Sequence, residues 1–274
     1  MMNRSFSIFI KFLFTFIITH SLFSFFFTGF FNSAQDYIPK NKIFNAEDGP
    51  KASTTYSGWK SQWYDYDNNY YSGTTRVRDN DVYSSMLYKS RIPAENWGDF
   101  YRGMYRYDKS KLDLVYPMLD KIWNNNNFTR RDFVDVVVSF VQNMEYNIVT
   151  MKDCNISYNE DNSIKKMMND GIKCDGDVYA GIYSPLEFMS YFKGDCDSRT
   201  VFLYTVLKRY NYDVVILNSD LYAHSILGVN IASSGKYKYY NGKRYYTWET
   251  TNKGWRLGML PPDYSNTNYW DVVL

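Results

Sequence analysis

Histidine is the scarcest chemically useful residue in this sequence. Only two occur among 274 residues, and one of them, His20, lies in an apolar N-terminal segment. Imidazole chemistry in the folded part of the chain would therefore depend on His224. Cysteine is also scarce, with three residues. One usable histidine and three cysteines without paired short spacing make a poor zinc-binding set, so we expect no metal site.

A strong excess of charge of either sign is missing as well. The chain has 31 Lys and Arg against 29 Asp and Glu, a net charge of +2, and the two signs are interspersed. Such a chain lacks the basic surface that nucleic-acid binding requires, so we expect no nucleic-acid partner. Aromatic residues are abundant instead, with 28 tyrosines. Tyrosine suits wet contact surfaces, although its β-propensity alone also accounts for a high content.

The N-terminus carries a long apolar run at residues 12–31, preceded by Arg4 and Lys11 and followed by an abrupt polar stretch. This pattern is typical of an export signal, with Ala34 as the small residue at the cleavage site. A run of about 20 residues also suffices to span a bilayer, so an uncleaved anchor is the alternative. Residues 1–34 are therefore predicted to be a signal peptide or membrane anchor. The remainder is expected to be periplasmic or extracellular, either free or anchored to the membrane.

An exported compartment permits disulfides, so two of the three cysteines can be expected to pair. Cys154 and Cys174 bracket a polar stretch that has little else to hold it in place. We predict that they pair, which leaves Cys196 as a free thiol. A disulfide between Cys196 and either partner stays open as the alternative, because sequence does not fix connectivity.

The order of secondary-structure signals predicts an α+β fold. Residues 35–125 form an aromatic-rich region of unassigned fold that reads as loop-rich as far as Trp97, and Pro117 is expected to start or kink a helix. Residues 126–274 form the second region. It begins with a core helix capped by Thr129 and later changes to strand patterns, including a hairpin across Asn241 and Gly242. Helices come first in this region and an antiparallel sheet follows.

The strongest chemical signal is Cys196, which opens a helical pattern and is followed by His224 and Glu249 at the edges of predicted strands. A helix N-terminus and a nearby imidazole both favour thiolate over thiol. Glu249 is predicted to orient the ring by accepting the Nδ1–H bond. The backbone N–H of Cys196 would help to hold an oxyanion. Asp195 and Asp197 oppose thiolate formation by their charge, although Asp195 is also placed to cap the helix.

These residues resemble the transglutaminase-like superfamily, in particular its exported bacterial members. The resemblance covers about residues 129–262 and implies a papain-like core whose nucleophile starts a helix packed on an antiparallel sheet. It implies a catalytic triad of Cys196, His224 and Glu249 acting on amide bonds without a metal or organic cofactor. The family usually has aspartate at the position of Glu249. The residues that carry the likeness are Gly194, Asp195, Cys196, Asp197, Ala223, His224, Ser225, Trp248 and Glu249, with Pro185 and Glu187 upstream.

The sequence thus predicts an exported thiol enzyme that forms an acyl-enzyme on Cys196 from a protein or peptide amide. Hydrolysis is favoured over amine transfer, because water needs no second binding site. The alternative is a catalytically inactive module of the same fold that binds protein or cell-surface partners through its aromatic surface.

Overall fold

The computed structural model describes residues 55–155 and 162–274. The predicted signal or anchor at residues 1–34 lies outside the described residues. The helices are α1 (Asp79–Lys89), α2 (Trp97–Asp108), α3 (Tyr116–Asn125), α4 (Arg130–Gln142), α5 (Asn162–Asn169), α6 (Pro185–Tyr191) and α7 (Cys196–Arg209). The strands are β1 (Tyr56–Tyr64), β2 (Tyr70–Arg78), β3 (Glu145–Tyr146), β4 (Ile148–Val149), β5 (Cys174–Asp175), β6 (Lys193–Gly194), β7 (Val214–Ser219), β8 (His224–Val229), β9 (Tyr237–Tyr240), β10 (Lys243–Trp248) and β11 (Asp271–Val272).

The main sheet has five strands in the order β11-β7-β8-β10-β9, and every neighbouring pair is antiparallel. The β9–β10 hairpin turns at Asn241 and Gly242, both with positive φ (48° and 77°), as the Asn-Gly pair predicted. Because β8 and β10 run in opposite directions, the first residue of β8 and the residue after β10 lie at the same end of the sheet. The α+β class predicted from the sequence is confirmed.

Helix α4 forms for the reasons visible in its sequence. The Thr129 side chain accepts a hydrogen bond from the backbone of Asp132, and the Asp132 carboxylate accepts one from the backbone of Thr129. This reciprocal cap satisfies two N–H groups that the helix itself leaves unpaired. The apolar stripe predicted from the helical period is buried in the core at Phe133, Val136, Val137, Phe140 and Val141.

The N-terminal part of the described chain is more regular than its composition indicated. The expectation of a loop-rich region up to Trp97 is wrong, because β1 and β2 pair over nine residues each and α1 follows directly. Alternate hairpin side chains such as Trp63 and Val77 are buried, and their partners on the other face are exposed. Pro117 starts helix α3, in line with the prediction.

A continuous apolar core joins this part to the rest of the chain. The buried cluster includes Trp63 of β1 and Phe100 of α2 together with Phe140 of α4, Phe202 of α7 and Trp248 of β10. A second, smaller cluster lies on the other face of the main sheet. Strand β7 contributes to both clusters with alternating residues, which explains why its first four residues, 214–217, are all apolar.

The structure joins Cys154 to Cys174 in a disulfide with a Cα–Cα distance of 5.9 Å, and Cys196 is free and buried. The bridge closes the segment that contains α5. This is the pairing favoured from the sequence, and it leaves the thiol at the start of α7 available for chemistry.

Candidate active site

Cys196 is the first residue of helix α7. Its N-cap is Asp195, whose carboxylate accepts hydrogen bonds from the backbone N–H (3.1 Å) and the hydroxyl (2.7 Å) of Ser198. The capping role predicted for Asp195 is confirmed. The cap fixes the direction in which the chain enters the helix, and α7 packs on β8 with Cys196 7% exposed. The thiol is therefore held at the junction between helix and sheet.

His224 is placed by a tight turn between β7 and β8. Ser219 and His224 are paired across that turn, and the intervening Ala223 has a positive φ of 46°. Glu249 follows the last residue of β10 at the same end of the sheet. The two side chains meet with His224 Nε2 2.8 Å from Glu249 Oε2, with side-chain exposures of 11% and 2%.

The ring nitrogen of His224 that contacts Glu249 is Nε2. The sequence-based expectation that Glu249 would accept the Nδ1–H bond is wrong, since Nε2 faces the carboxylate and Nδ1 is left for a second partner. The remaining carboxylate oxygen, Oε1, accepts bonds from the backbone N–H (2.8 Å) and the hydroxyl (2.7 Å) of Thr251. Although burial opposes ionisation, the hydrogen bond and charge of His224 and the bonds from Thr251 lower the pKa of Glu249 to about 2.

The thiol lies beside the peptide that follows His224. The backbone N–H of Ser225 favours the thiolate of Cys196, while Glu249 adds a weaker charge effect that opposes it. The structure thus brings the three residues of the predicted triad, Cys196, His224 and Glu249, to one end of the main sheet. Nucleophilic catalysis by a thiol needs a base near the sulfur and a group that orients the base, and the hydrogen bond between His224 and Glu249 supplies the second of these contacts.

The charges around Cys196 oppose ionisation of its thiol. Burial raises the pKa of Cys196 well above its ordinary value, and the carboxylates of Asp197 and Asp195 raise it further. This is the direction predicted for the two aspartates. The contributions of the helix N-terminus and of the imidazole in favour of the thiolate stay predictions.

The pKa values of Asp195 and Asp197 are both raised above the ordinary value of an aspartate. Burial and the charge of Asp197 raise the pKa of Asp195 to about 7. Burial also raises the pKa of Asp197, partly offset by hydrogen bonding from Tyr101 and the charge of His224. The site therefore contains two neighbouring aspartates whose pKa values are both raised, that of Asp195 to about neutral pH.

Arg199 is a structural residue of the site that the sequence did not reveal. Its guanidinium is fully buried and donates hydrogen bonds to the backbone carbonyls of Gly194, Val141, Thr250 and Met144 at 2.8–3.1 Å. Burial lowers its pKa to about 10. One side chain thus joins the start of α7 to the end of α4 and to the peptide after Glu249. No sequence pattern points to this role, because all but one of its partners are distant in the chain.

Aromatic side chains cover the other side of His224. Its ring lies 5.5 Å from that of Tyr264 and 5.9 Å from that of Trp270. Tyr222 contacts both aromatic rings and also Tyr269, which is 49% exposed. The imidazole is therefore held between a carboxylate and an aromatic wall that extends to the surface.

Within residues 55–155 and 162–274, no group of three or more His, Cys, Asp or Glu side chains is arranged to hold a metal ion. In the same ranges, no helix combines the length and the apolar character needed to cross a membrane. Comparisons of the chain with protein-family models, curated proteins and solved structures find no match. The geometry of the site is therefore what indicates a function.

Proposed function

We propose that this protein is an exported thiol enzyme of the transglutaminase-like type, with a papain-like core, that attacks protein or peptide amide bonds. The observation that carries the proposal is the 2.8 Å contact between His224 Nε2 and Glu249 Oε2 beside a free thiol at a helix N-terminus. The ionised carboxylate fixes the proton on Nε2, which leaves Nδ1 as a base for the thiol of Cys196. The disulfide between Cys154 and Cys174 supports an oxidising compartment outside the cytoplasm.

The proposed reaction follows from these positions. The proton of the Cys196 thiol moves to His224 Nδ1 while the sulfur attacks the amide carbon, and the carbonyl oxygen becomes an oxyanion near the backbone N–H of Cys196. The imidazolium then gives its proton to the departing amine, and a thioester to the substrate acyl group remains. His224 next takes a proton from water as the water oxygen attacks the thioester carbon. The C–S bond then breaks, the acid leaves, and the imidazolium returns its proton to the sulfur of Cys196. No metal or organic cofactor takes part in these steps.

A kinetic experiment tests this proposal. Purified protein is incubated with peptide and peptidoglycan stem-peptide substrates, and both cleavage and ammonia release are followed. Hydroxylamine trapping of the acyl group separates amine transfer from hydrolysis. We expect Cys196→Ala and His224→Ala to remove nearly all turnover. Glu249→Gln should retain a residual rate, because the amide oxygen can still accept the Nε2–H bond. The rate should nevertheless fall, because the NH₂ group then faces Thr251, whose N–H and hydroxyl donate to a carboxylate oxygen in the wild type.

The double variant His224→Ala with Glu249→Gln provides the sharper criterion. Residues that act as a unit do not lose activity additively, so the double variant should be about as poor as His224→Ala alone. Substantial activity in His224→Ala, or losses that add fully, would remove the triad from the proposal.

A binding module without catalysis is the second candidate function. Two observations favour it: burial and the neighbouring carboxylates raise the pKa of Cys196, and the β1–β2 hairpin exposes Tyr56, Trp59, Tyr64 and Tyr70. A thiol that stays inert to alkylating reagents across the pH range, together with no turnover on any substrate tested, would favour the module over the enzyme.

A further inference from the structure

The carboxylate of Asp197 lies between the thiol and a tyrosine from the N-terminal part of the chain. The thiol of Cys196 donates a hydrogen bond to Asp197 Oδ2, with an S–O distance of 3.7 Å. The hydroxyl of Tyr101, in α2, donates to the other oxygen, Oδ1, at 2.5 Å. Asn218, at the end of β7, donates to the Tyr101 oxygen at 3.0 Å. Three elements thus orient one carboxylate against the nucleophile.

Tyr101 brings this chain of contacts from the interior to the half-buried carboxylate of Asp197. Tyr101 is 1% exposed, and the stacked ring of Trp97, 5.6 Å away, covers it. The buried hydroxyl of Tyr101 therefore fixes one oxygen of the Asp197 carboxylate. The triad assigned above gives neither Tyr101 nor Asp197 a role.

Besides Tyr101, the titratable groups that interact with Asp197 are Asp195, the N-cap of the same helix, His224 on β8 and Tyr146 of β3. Glu249, after β10, acts on the thiol of Cys196. A protonated His224 favours ionised Asp197, whereas Asp195 and Asp197 repel each other when both are ionised. Glu249 is paired with His224. The carboxylate that accepts the hydrogen bond from the sulfur is that of Asp197.

We propose that Asp197, positioned by Tyr101, holds Cys196 as a neutral thiol and releases the nucleophile when Asp197 itself takes up a proton, so that the enzyme acts in acid. This inference rests on the proposed function. Uptake of a proton from solvent by Asp197 removes the negative charge beside the sulfur. The thiol proton can then move to His224 Nδ1, which forms a thiolate and an imidazolium without a further change in net charge.

The pH dependence of alkylation tests the proposal without any substrate. Cys196 is the only cysteine outside the disulfide, so the incorporation of iodoacetamide measured by intact mass reports on one thiol. An ordinary thiol reacts faster as the pH rises. We expect the wild-type protein to show an additional rise in rate as the pH falls below neutral, and the ultraviolet absorbance of the thiolate, measured against Cys196→Ala, to follow it.

Three variants separate charge from hydrogen bonding. Asp197→Asn should make alkylation at neutral pH about tenfold faster, equivalent to about one pKa unit, and should remove the acidic rise. Asp197→Glu keeps the charge and should keep the wild-type profile. Tyr101→Phe removes a donor that favours ionised Asp197, so its acidic rise should move to higher pH. Circular dichroism establishes that each variant is folded.

The outcomes distinguish this inference from the proposed function. An Asp197→Asn rate within twofold of the wild-type rate, with the same pH profile, would overturn the inference and leave the triad untouched. If Asp197→Asn fails to fold, an unshifted profile in folded Tyr101→Phe would overturn it equally. Shifted profiles in a protein without amidase activity would support the control of the thiol and count against the enzyme.

Discussion

The pair formed by Lys89 and Glu187 gives the clearest test of how the N-terminal part of the chain is tied to the rest. Lys89 Nζ lies 2.8 Å from Glu187 Oε2, and both side chains are 2% exposed. The ammonium also donates to the carbonyl of Ile182 at 2.6 Å, and the carboxylate accepts from the backbone of Ser184 at 2.7 Å. Removing the lysine would leave a buried carboxylate without its counter-charge, near the second buried acid Asp108.

We expect Lys89→Met, which keeps most of the side-chain volume, to lower the free energy of unfolding by about 3–5 kcal/mol. For a folded unit of this size, that loss corresponds to a fall in Tm of about 6–20 °C. Urea and thermal denaturation followed by circular dichroism measure both quantities. Adding Glu187→Gln to Lys89→Met should recover more than half of the loss, because no unpaired charge remains and glutamine can still accept the bond from Ser184.

The pair formed by Lys173 and Glu145 supplies a matched control. Its N–O distance is also 2.8 Å, but the two side chains are 70% and 50% exposed. Water screens such a pair, so Lys173→Met should leave Tm unchanged within error. A loss below about 1 kcal/mol in Lys89→Met, or a double variant no more stable than the single one, would refute the argument that burial makes the difference.

Three further changes have defined outcomes. Cys154→Ser opens a loop with a sequence separation of 20 and should cost about 3 kcal/mol in urea denaturation, whereas Cys196→Ala should cost much less; equal losses would contradict the assigned pairing. Burial raises the pKa of Asp108 to about 6 from an ordinary 3.8. Its contribution to stability is therefore present below about pH 4 and lost as the pH rises through 6. Relative to Asp108→Asn, the wild type should lose about 2–3 kcal/mol over that interval, and parallel stability curves would refute this. Arg199→Lys supplies fewer donors to four buried carbonyls, so its midpoint in urea should fall by the equivalent of about 2–4 kcal/mol, and an unchanged midpoint would show that water replaces them.

Local chemistry explains which parts of the fold the sequence could predict. The cap of α4 at Thr129, the turn at Asn241 and Gly242 and the helix start at Pro117 each depend on neighbours within a few residues. The apolar run at residues 214–217 of β7 follows from burial on both faces of the sheet, which leaves no polar position among these four residues. By contrast, the β1–β2 hairpin was missed. Its alternation is carried by tyrosine, tryptophan, serine and threonine, and these occur both in strands and in loops.

The candidate site divides in the same way. Cys196, His224 and Glu249 could be chosen because few residues in the chain can perform their chemistry, and the helix and strand patterns place them. The nitrogen that faces Glu249 could not be predicted, since it depends on the direction from which the strand end approaches the ring. Tyr101 gave no signal either, because it is one of 28 tyrosines and lies 96 residues from its acceptor.

Helices α1 and α2 supply Lys89 to Glu187 and Tyr101 to Asp197, so contacts with both acids cross residue 126, where the composition suggests a division of the chain. A fragment that begins there would keep all three residues of the proposed triad, but the thiol of Cys196 would have different surroundings. Its buried glutamate would have lost its cation, and the aspartate beside the sulfur would have lost the donor that orients it. Reactivity measured on such a fragment would describe the fragment, and a failure to detect turnover with it would say little about the intact chain.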